Sequence, residues 1–455
     1  MRPNFYTYLD LLAPLYLVLF YYISTLIINK NKSNPLYKKY FLKGFWYKML
    51  GAFGFYLIYA FYYRGGDSCT YFINGAIFNR YMLFENFGDG LNVIFSKIAS
   101  RENFPTWIVN QSDYVYGEGY ILKDIKSLMV ARISSIISLF CFNSYLVTCM
   151  AFSFLSYLAI FKLYILFATF YSDYKDSLSF AFLKIPSVIF WGSAVNKDTI
   201  CLGMLCVFIY SFHKVAIEFK LTPKYILGLM LSLFIIFNIK SYIVVATMPG
   251  LLIYAFINYQ NKVVGSSVFR YVLAPVMILS AGLTAFLLFQ SLSETFTEYS
   301  SESLETQAEG FKSDHLNIQE QAGGSGYSIG DFEYTPAGII KKTPIAIAIS
   351  LFGPFPWQVR NAVMFASSLE STYFLYLFLS VFFSAYGIAK LRKIGTDPVM
   401  LFCLSFTIIL AIAIGLTSFN YGALVRFRIP ILPFFATLLI LMKAPQIKRL
   451  KGAKR

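Results

Sequence analysis

The chain is a succession of apolar runs, most of them about twenty residues long, separated by short polar stretches. A bilayer core takes about 20 mostly apolar residues per helix. Runs of that kind begin near Tyr8, Trp46, Ser144, Ile200, Tyr225, Tyr242, Tyr271, Ala362, Val399 and Ile429. Phe180–Phe190 is shorter and predicts a half-length or kinked span around Pro186. Leu122–Phe140 sets Asp124, Ser127, Ser134, Ser135 and Ser138 on one side at helical spacing, and also carries Lys123, Lys126 and Arg132. That pattern predicts an amphipathic helix lying in the interface, with a tilted span as the alternative. The run Pro344–Leu351 is too short to cross and reads as interfacial or re-entrant. The expected architecture is one all-α, polytopic membrane domain over residues 1–455. It should hold about 11–13 spans, all helical, because backbone facing lipid must satisfy its own hydrogen bonds.

Composition agrees with the pattern. Of the 455 residues 57% are apolar and 14% charged, against roughly 45–50% and about 25% in soluble domains. Mean hydropathy is +0.60. These values exclude a soluble enzyme, a disordered chain and a nucleic-acid-binding module. The net charge of +16 is read as lysine and arginine held on the cytoplasmic side, since translocated loops avoid them. The first run, from about Tyr8 to Ile28, has no lysine-rich region before it and no small-residue cleavage site, so a retained helix is expected. The six cysteines form no CxxC pair, and two histidines, His213 and His315, are too few for a His-rich metal site.

Charge also orients the chain. Lys30, Lys32, Lys38, Lys39 and Lys43 follow the first run, Lys390, Arg392 and Lys393 separate two late ones, and the tail after Lys443 is basic. The positive-inside rule puts all three in the cytoplasm and the N-terminus outside. Two long segments then lie outside: 64–126, carrying interfacial helices, and 291–342, which is acidic. Between Ser291 and Ile340 the second has nine acids against the single Lys312. Loops of this length are usually functional or disordered. No GxxxxGK[ST] motif is present, which argues against an ATPase.

Four polar constellations interrupt the apolar pattern. Arg64-Gly65-Gly66-Asp67-Ser68 follows the second run. Its glycines allow a sharp turn and close approach of a ligand, and Asp67 is placed to act as a general base; the plainer reading is a turn with a helix cap. Trp191–Asp198 joins a cation, Lys197, and an anion, Asp198, at the outer ends of two helices; its plainer reading is a polar hairpin with an interfacial tryptophan and an internal ion pair. Arg426-Phe427-Arg428-Ile429-Pro430 opens the last run. With Lys197, Lys240 and Arg360 it forms a set of outer cations that runs against the topology rule and suits an anionic headgroup. Arg426 and Arg428 share a side if the stretch before Pro430 is extended; the alternative is pairing with the acidic loop. The fourth constellation is Pro354–Gln358 with Trp357, then Arg360 and, inside an apolar helix, Glu370. An intramembrane carboxylate marks a functional position, or an ion pair with a neighbouring helix.

Gly65–Ser68, IPSVIFWGSAVNKD at 185–198 and RFRIPILP at 426–433 resemble polytopic bacterial glycosyltransferases of the GT-C class. FGPFPWQVRN at 352–361 is similar to a segment of surface-polysaccharide membrane proteins. The resemblance runs from the second run to the last. It implies 11–13 helices, and transfer of a sugar from a polyprenyl-phosphate carrier to a glycan, lipid or protein acceptor on the outer face of the bacterial cytoplasmic membrane. The first-loop acid of the class falls on Asp67 and its late-loop cations on Arg426 and Arg428. Many members carry a second acid, for which Asp198 stands by charge and side of the membrane. A divalent cation, magnesium or manganese, is the one cofactor this leaves open. Lys197, Lys240, Trp357 and Arg360 complete the expected substrate contacts. A polysaccharide polymerase shares this outer site, and a transporter or flippase is the competing class, although no internal repeat is visible.

Overall fold

Apolar sequence becomes helix throughout. The structure is a computed structural model that describes residues 7–95, 101–116, 120–262, 326–330, 336–383, 394–395, 397–418 and 420–443. Its main helices are α1 Tyr8–Lys30, α2 Leu42–Leu57, α3 Asp67–Phe84, α4 Phe87–Phe95, α5 Thr106–Tyr116, α6 Ile125–Leu139, α7 Tyr145–Phe170 and α8 Lys175–Leu183. They continue as α9 Pro186–Phe190, α10 Lys197–Ile217, α11 Pro223–Lys262, α12 Pro336–Phe352, α13 Ala362–Phe382, α14 Pro398–Thr417, α15 Tyr421–Phe427 and α16 Leu432–Lys443.

Among the described residues six of these (α1, α7, α10, α11, α13 and α14) are long and apolar enough to cross a membrane, and α15 with α16, bent by 69°, is either a broken span or a re-entrant pair. The chain is therefore an all-α, multi-pass membrane protein. The described residues hold fewer full-length spans than the sequence led us to expect. The runs from Tyr225 and Tyr242 are two helical segments, labelled together as α11, that meet at Lys240, where the backbone is not helical (φ −146°, ψ 72°). Regular helix in α2 stops after 16 residues and passes into wider turns through Tyr62. Phe180–Phe190 is divided between α8 and α9, with Pro186 opening α9. The run from Tyr271, like most of the acidic 291–342 segment, lies outside the described residues.

The chain forms two units: residues 1–167, 182–210 and 227–240, and residues 168–181, 211–226 and 241–455. In the first, α7 is strongly apolar and largely buried, the property of a central helix. Beside it α3 packs closely on α6. A Cβ on Gly75 would lie 2.8 Å from the Ser135 nitrogen. The serine side of α6, expected to meet water at the interface, instead faces inward: Ser127, Ser134, Ser135 and Ser138 are buried. Asn79 of α3 meets two of them: its amide donates to the Ser135 carbonyl (3.0 Å) and Ser138 Oγ (3.0 Å) and accepts from Ser135 Oγ (2.6 Å).

In the second unit α12 meets α14 where Gly415 lies against Ala346; a Cβ there would come within 2.3 Å of the Ala346 carbonyl. Rings of Phe402, Phe406 and Phe434 join α14 to α16. Asp397 caps α14, accepting from the Val399 and Met400 nitrogens, and takes a further hydrogen bond from the Tyr171 hydroxyl at 2.8 Å.

Candidate functional site

The expected site residues divide between the two units. Asp67, Lys197, Asp198 and Lys240 belong to the first; Trp357, Arg360, Arg426 and Arg428 belong to the second.

In the first unit the chain leaves α9 through a turn over 191–196, with Ala194 in the left-handed region (φ 85°). Asn196 closes the turn and opens α10 at once. Its amide nitrogen donates to the Trp191 and Ser193 carbonyls, and its oxygen accepts from the Thr199 nitrogen at 2.6 Å. Lys197 and Asp198 thus occupy the first turn of α10. An acid there is favoured by the partial positive charge of the helix N-terminus. The ion pair expected within the turn is replaced by two pairs reaching outward. Lys197 Nζ lies 3.2 Å from Asp124 Oδ2 and stands over the Tyr71 ring, 5.8 Å from its centroid. Asp198 Oδ1 lies 2.5 Å from Lys240 Nζ, and both side chains are buried. The break in α11 is at Lys240 itself.

Asp124 is also the cap of α6, accepting from the Lys126 and Ser127 nitrogens. Burial pushes its carboxyl up, but the Ser127 hydrogen bond and the Lys197 charge more than offset this and hold it below the ordinary value. Asp67 is the exposed first residue of α3. The turn before it needs the left-handed backbone of Arg64 (φ 51°), Gly65 (φ 148°) and Gly66 (φ 109°). Gly66 occupies the cap position, so neither Asp67 nor Ser68 takes the capping role. Tyr71, beneath Lys197, is one helical turn on from Asp67 and on the same face.

Trp191, expected as an interfacial side chain, is enclosed by protein. It is buried against Phe55 and Phe190 of the first unit. A further residue belongs to this turn: Lys48 of α2, nearly fully buried, donates to the Gly192 carbonyl and, at 3.5 Å, to that of Val188. The available signal was a lysine inside an apolar helix.

In the second unit Arg428 is wholly buried. Its guanidinium donates to the Gly353 carbonyl and to Ser371 Oγ (3.0 Å) and lies 3.6 Å from Glu370 Oε1. Glu370 thus has the ion-pair partner on a neighbouring helix that its position inside an apolar run suggested. The stretch before Pro430 is not extended. Asn420 caps α15 through the Gly422 and Ala423 nitrogens, and Arg428 ends it in helical conformation. The restriction imposed by Pro430 acts on Ile429, not on the arginines. Arg426, in the last turn of α15, and Arg428 therefore do not share a side. Trp357 is 78% exposed and stacks face to face on Phe355, with Arg360 exposed a few residues on. Among the described residues no group of three His, Cys, Asp or Glu side chains is placed to hold a metal ion.

Comparison with known proteins finds no matching family model, no matching curated protein and no matching solved structure.

Proposed function

We propose that the chain is a glycosyltransferase of the bacterial cytoplasmic membrane that moves a sugar from a polyprenyl-phosphate carrier to a glycan, lipid or protein acceptor on the outer face. The observation that carries this reading is the meeting of α3, the start of α6 and the start of α10 around Lys197, which stands over Tyr71, itself one helical turn from the exposed Asp67. In this reading Asp67 takes the proton of the acceptor hydroxyl. The hydroxyl oxygen attacks the anomeric carbon as the bond to the carrier phosphate breaks, and the phosphate leaves with the electron pair. In this reading Lys197 offsets that developing charge. Arg428 is assigned a supporting role, because it is wholly buried, its two terminal nitrogens donate to Gly353 and Ser371, and Glu370 lies 3.6 Å away. The basic 30–43 segment and tail put the C-terminus in the cytoplasm and the N-terminus outside. The same chemistry serves a polysaccharide polymerase, with a second lipid-linked glycan as acceptor.

A transporter is the second reading. Its support is the pair of broken spans, α11 at Lys240 and α15 with α16, next to buried charges. Lipid analysis of a deletion strain separates the two. A transferase leaves its donor accumulated on the outer leaflet with truncated surface glycan; a transporter leaves it on the cytoplasmic leaflet. Unchanged donor together with full-length glycan would exclude both.

A further inference from the structure

Lys48 interrupts the apolar face of α2 and is only 4% exposed. A buried ammonium is costly unless hydrogen bonds replace its water. Here the replacements are two backbone carbonyls, Gly192 and Val188 at the end of α9. The last carbonyls of a helix have no helical donor, and a lysine is a suitable partner for them. The rest of the contact is built to let the two backbones touch. A Cβ on Gly51 of α2 would lie 2.2 Å from the Ile189 carbonyl, and one on Gly192 would lie 2.3 Å from that of Val188 and 3.3 Å from Lys48 Nζ. Ser153 of α7 closes the group from the other side. Its hydroxyl donates to the Lys48 carbonyl (2.8 Å) and lies 3.0 Å from Ser193 Oγ, which itself donates to the Ile189 carbonyl (2.6 Å). From this pinned end the backbone runs through Ala194 to Asn196, whose side chain fixes the start of α10.

We infer that Lys48 is a positioning residue for the charged turn: by holding the Val188 and Gly192 carbonyls it sets where Lys197 and Asp198 stand. This deepens the reading of that turn as part of a transfer site, and only its kinetic consequence rests on that reading.

The test uses the full-length protein in nanodiscs, with Lys48→Met and Lys48→Gln variants. Amide exchange of peptides covering 189–200 should rise roughly tenfold or more in Lys48→Met and less in Lys48→Gln, which keeps one donor. Peptides from the middle of α7 should be unchanged. In a transfer assay kcat should fall with KM for the donor unaltered. Unchanged exchange over 189–200 overturns the inference. Exchange that rises equally across α7, or loss of monodisperse protein in both variants, overturns it too, by assigning Lys48 to general folding. If exchange rises as stated but no transfer is measurable in the parent protein, the positioning role stands and the transferase reading falls.

Discussion

Lys240 and Asp198 meet at 2.5 Å in the interior of the first unit, the lysine at the one backbone break in α11 and the aspartate in the first turn of α10. Removing one charge of such a pair leaves the other buried without it. Asp198→Asn should cost about 3–5 kcal/mol, and Asp198→Asn/Lys240→Met should recover most of that. Thermal unfolding of the detergent-solubilised protein measures both. A double variant no more stable than the single one would show that the pair is not coupled.

Arg428 joins Gly353, Ser371 and Glu370 within the second unit. Lysine carries the charge but not the planar fork. Arg428→Lys should therefore lower stability by about 1–3 kcal/mol, the cost of an unmet buried carbonyl. Glu370→Gln, which keeps an acceptor for the fork, should cost less than Arg428→Met. The reverse order of Tm values would remove Arg428 from its supporting role and restore it as a direct ligand of the carrier.

Beyond the end of α10, Glu218 accepts from Lys214, from Lys220 at 2.8 Å, and from the His213 ring at 3.1 Å. Burial raises its carboxyl, but these donors and charges more than offset that and hold it at about 2. A depressed carboxyl contributes stability that is complete above its unfolded value, near 4.5, and is lost as pH falls towards about 2. The retention of monodisperse protein should decline across that window, and Glu218→Gln should flatten the decline. An unaltered profile in the variant would place the acid sensitivity elsewhere.

All six cysteines are buried, so an introduced thiol can be labelled over a low background. With the orientation drawn from the basic segments, Arg64→Cys should react with an impermeant maleimide in intact cells. Lys220→Cys, at the other end of α10, should react only after the membrane is opened. Both positions are exposed. The opposite pattern would invert the topology and put Asp67 in the cytoplasm.

Spans were legible in the sequence because apolar length alone defines them, as α1, α7, α13 and α14 show. The runs from Tyr225 and Tyr242 were legible in the same way, and they meet at the non-helical Lys240. The side taken by α6 was misread: periodicity locates a polar face but not its neighbour, and the neighbour of Ser135 and Ser138 is Asn79 rather than water. Charge in the 191–198 turn was legible as unusual, yet its partners Asp124 and Lys240 lie far off in sequence, where spacing rules have no reach. At Arg428 the proline rule was extended beyond the one residue it constrains, and the Asn420 cap decided the conformation.

The account is tested most directly by transfer in proteoliposomes. Purified full-length protein, its Asp67→Asn variant and its Lys197→Met variant would be given radiolabelled polyprenyl-phosphate sugars and acceptor glycans extracted from the deletion strain. Label in the acceptor and free carrier phosphate would be counted together. The parent protein should move label to acceptor and release carrier in equal amounts. Asp67→Asn should slow this by roughly 10²–10⁴ with Tm unchanged, and Lys197→Met by roughly tenfold or more, with a small fall in Tm from loss of the Asp124 pair. No transfer by the parent protein, or full transfer by both variants, would contradict the assignment.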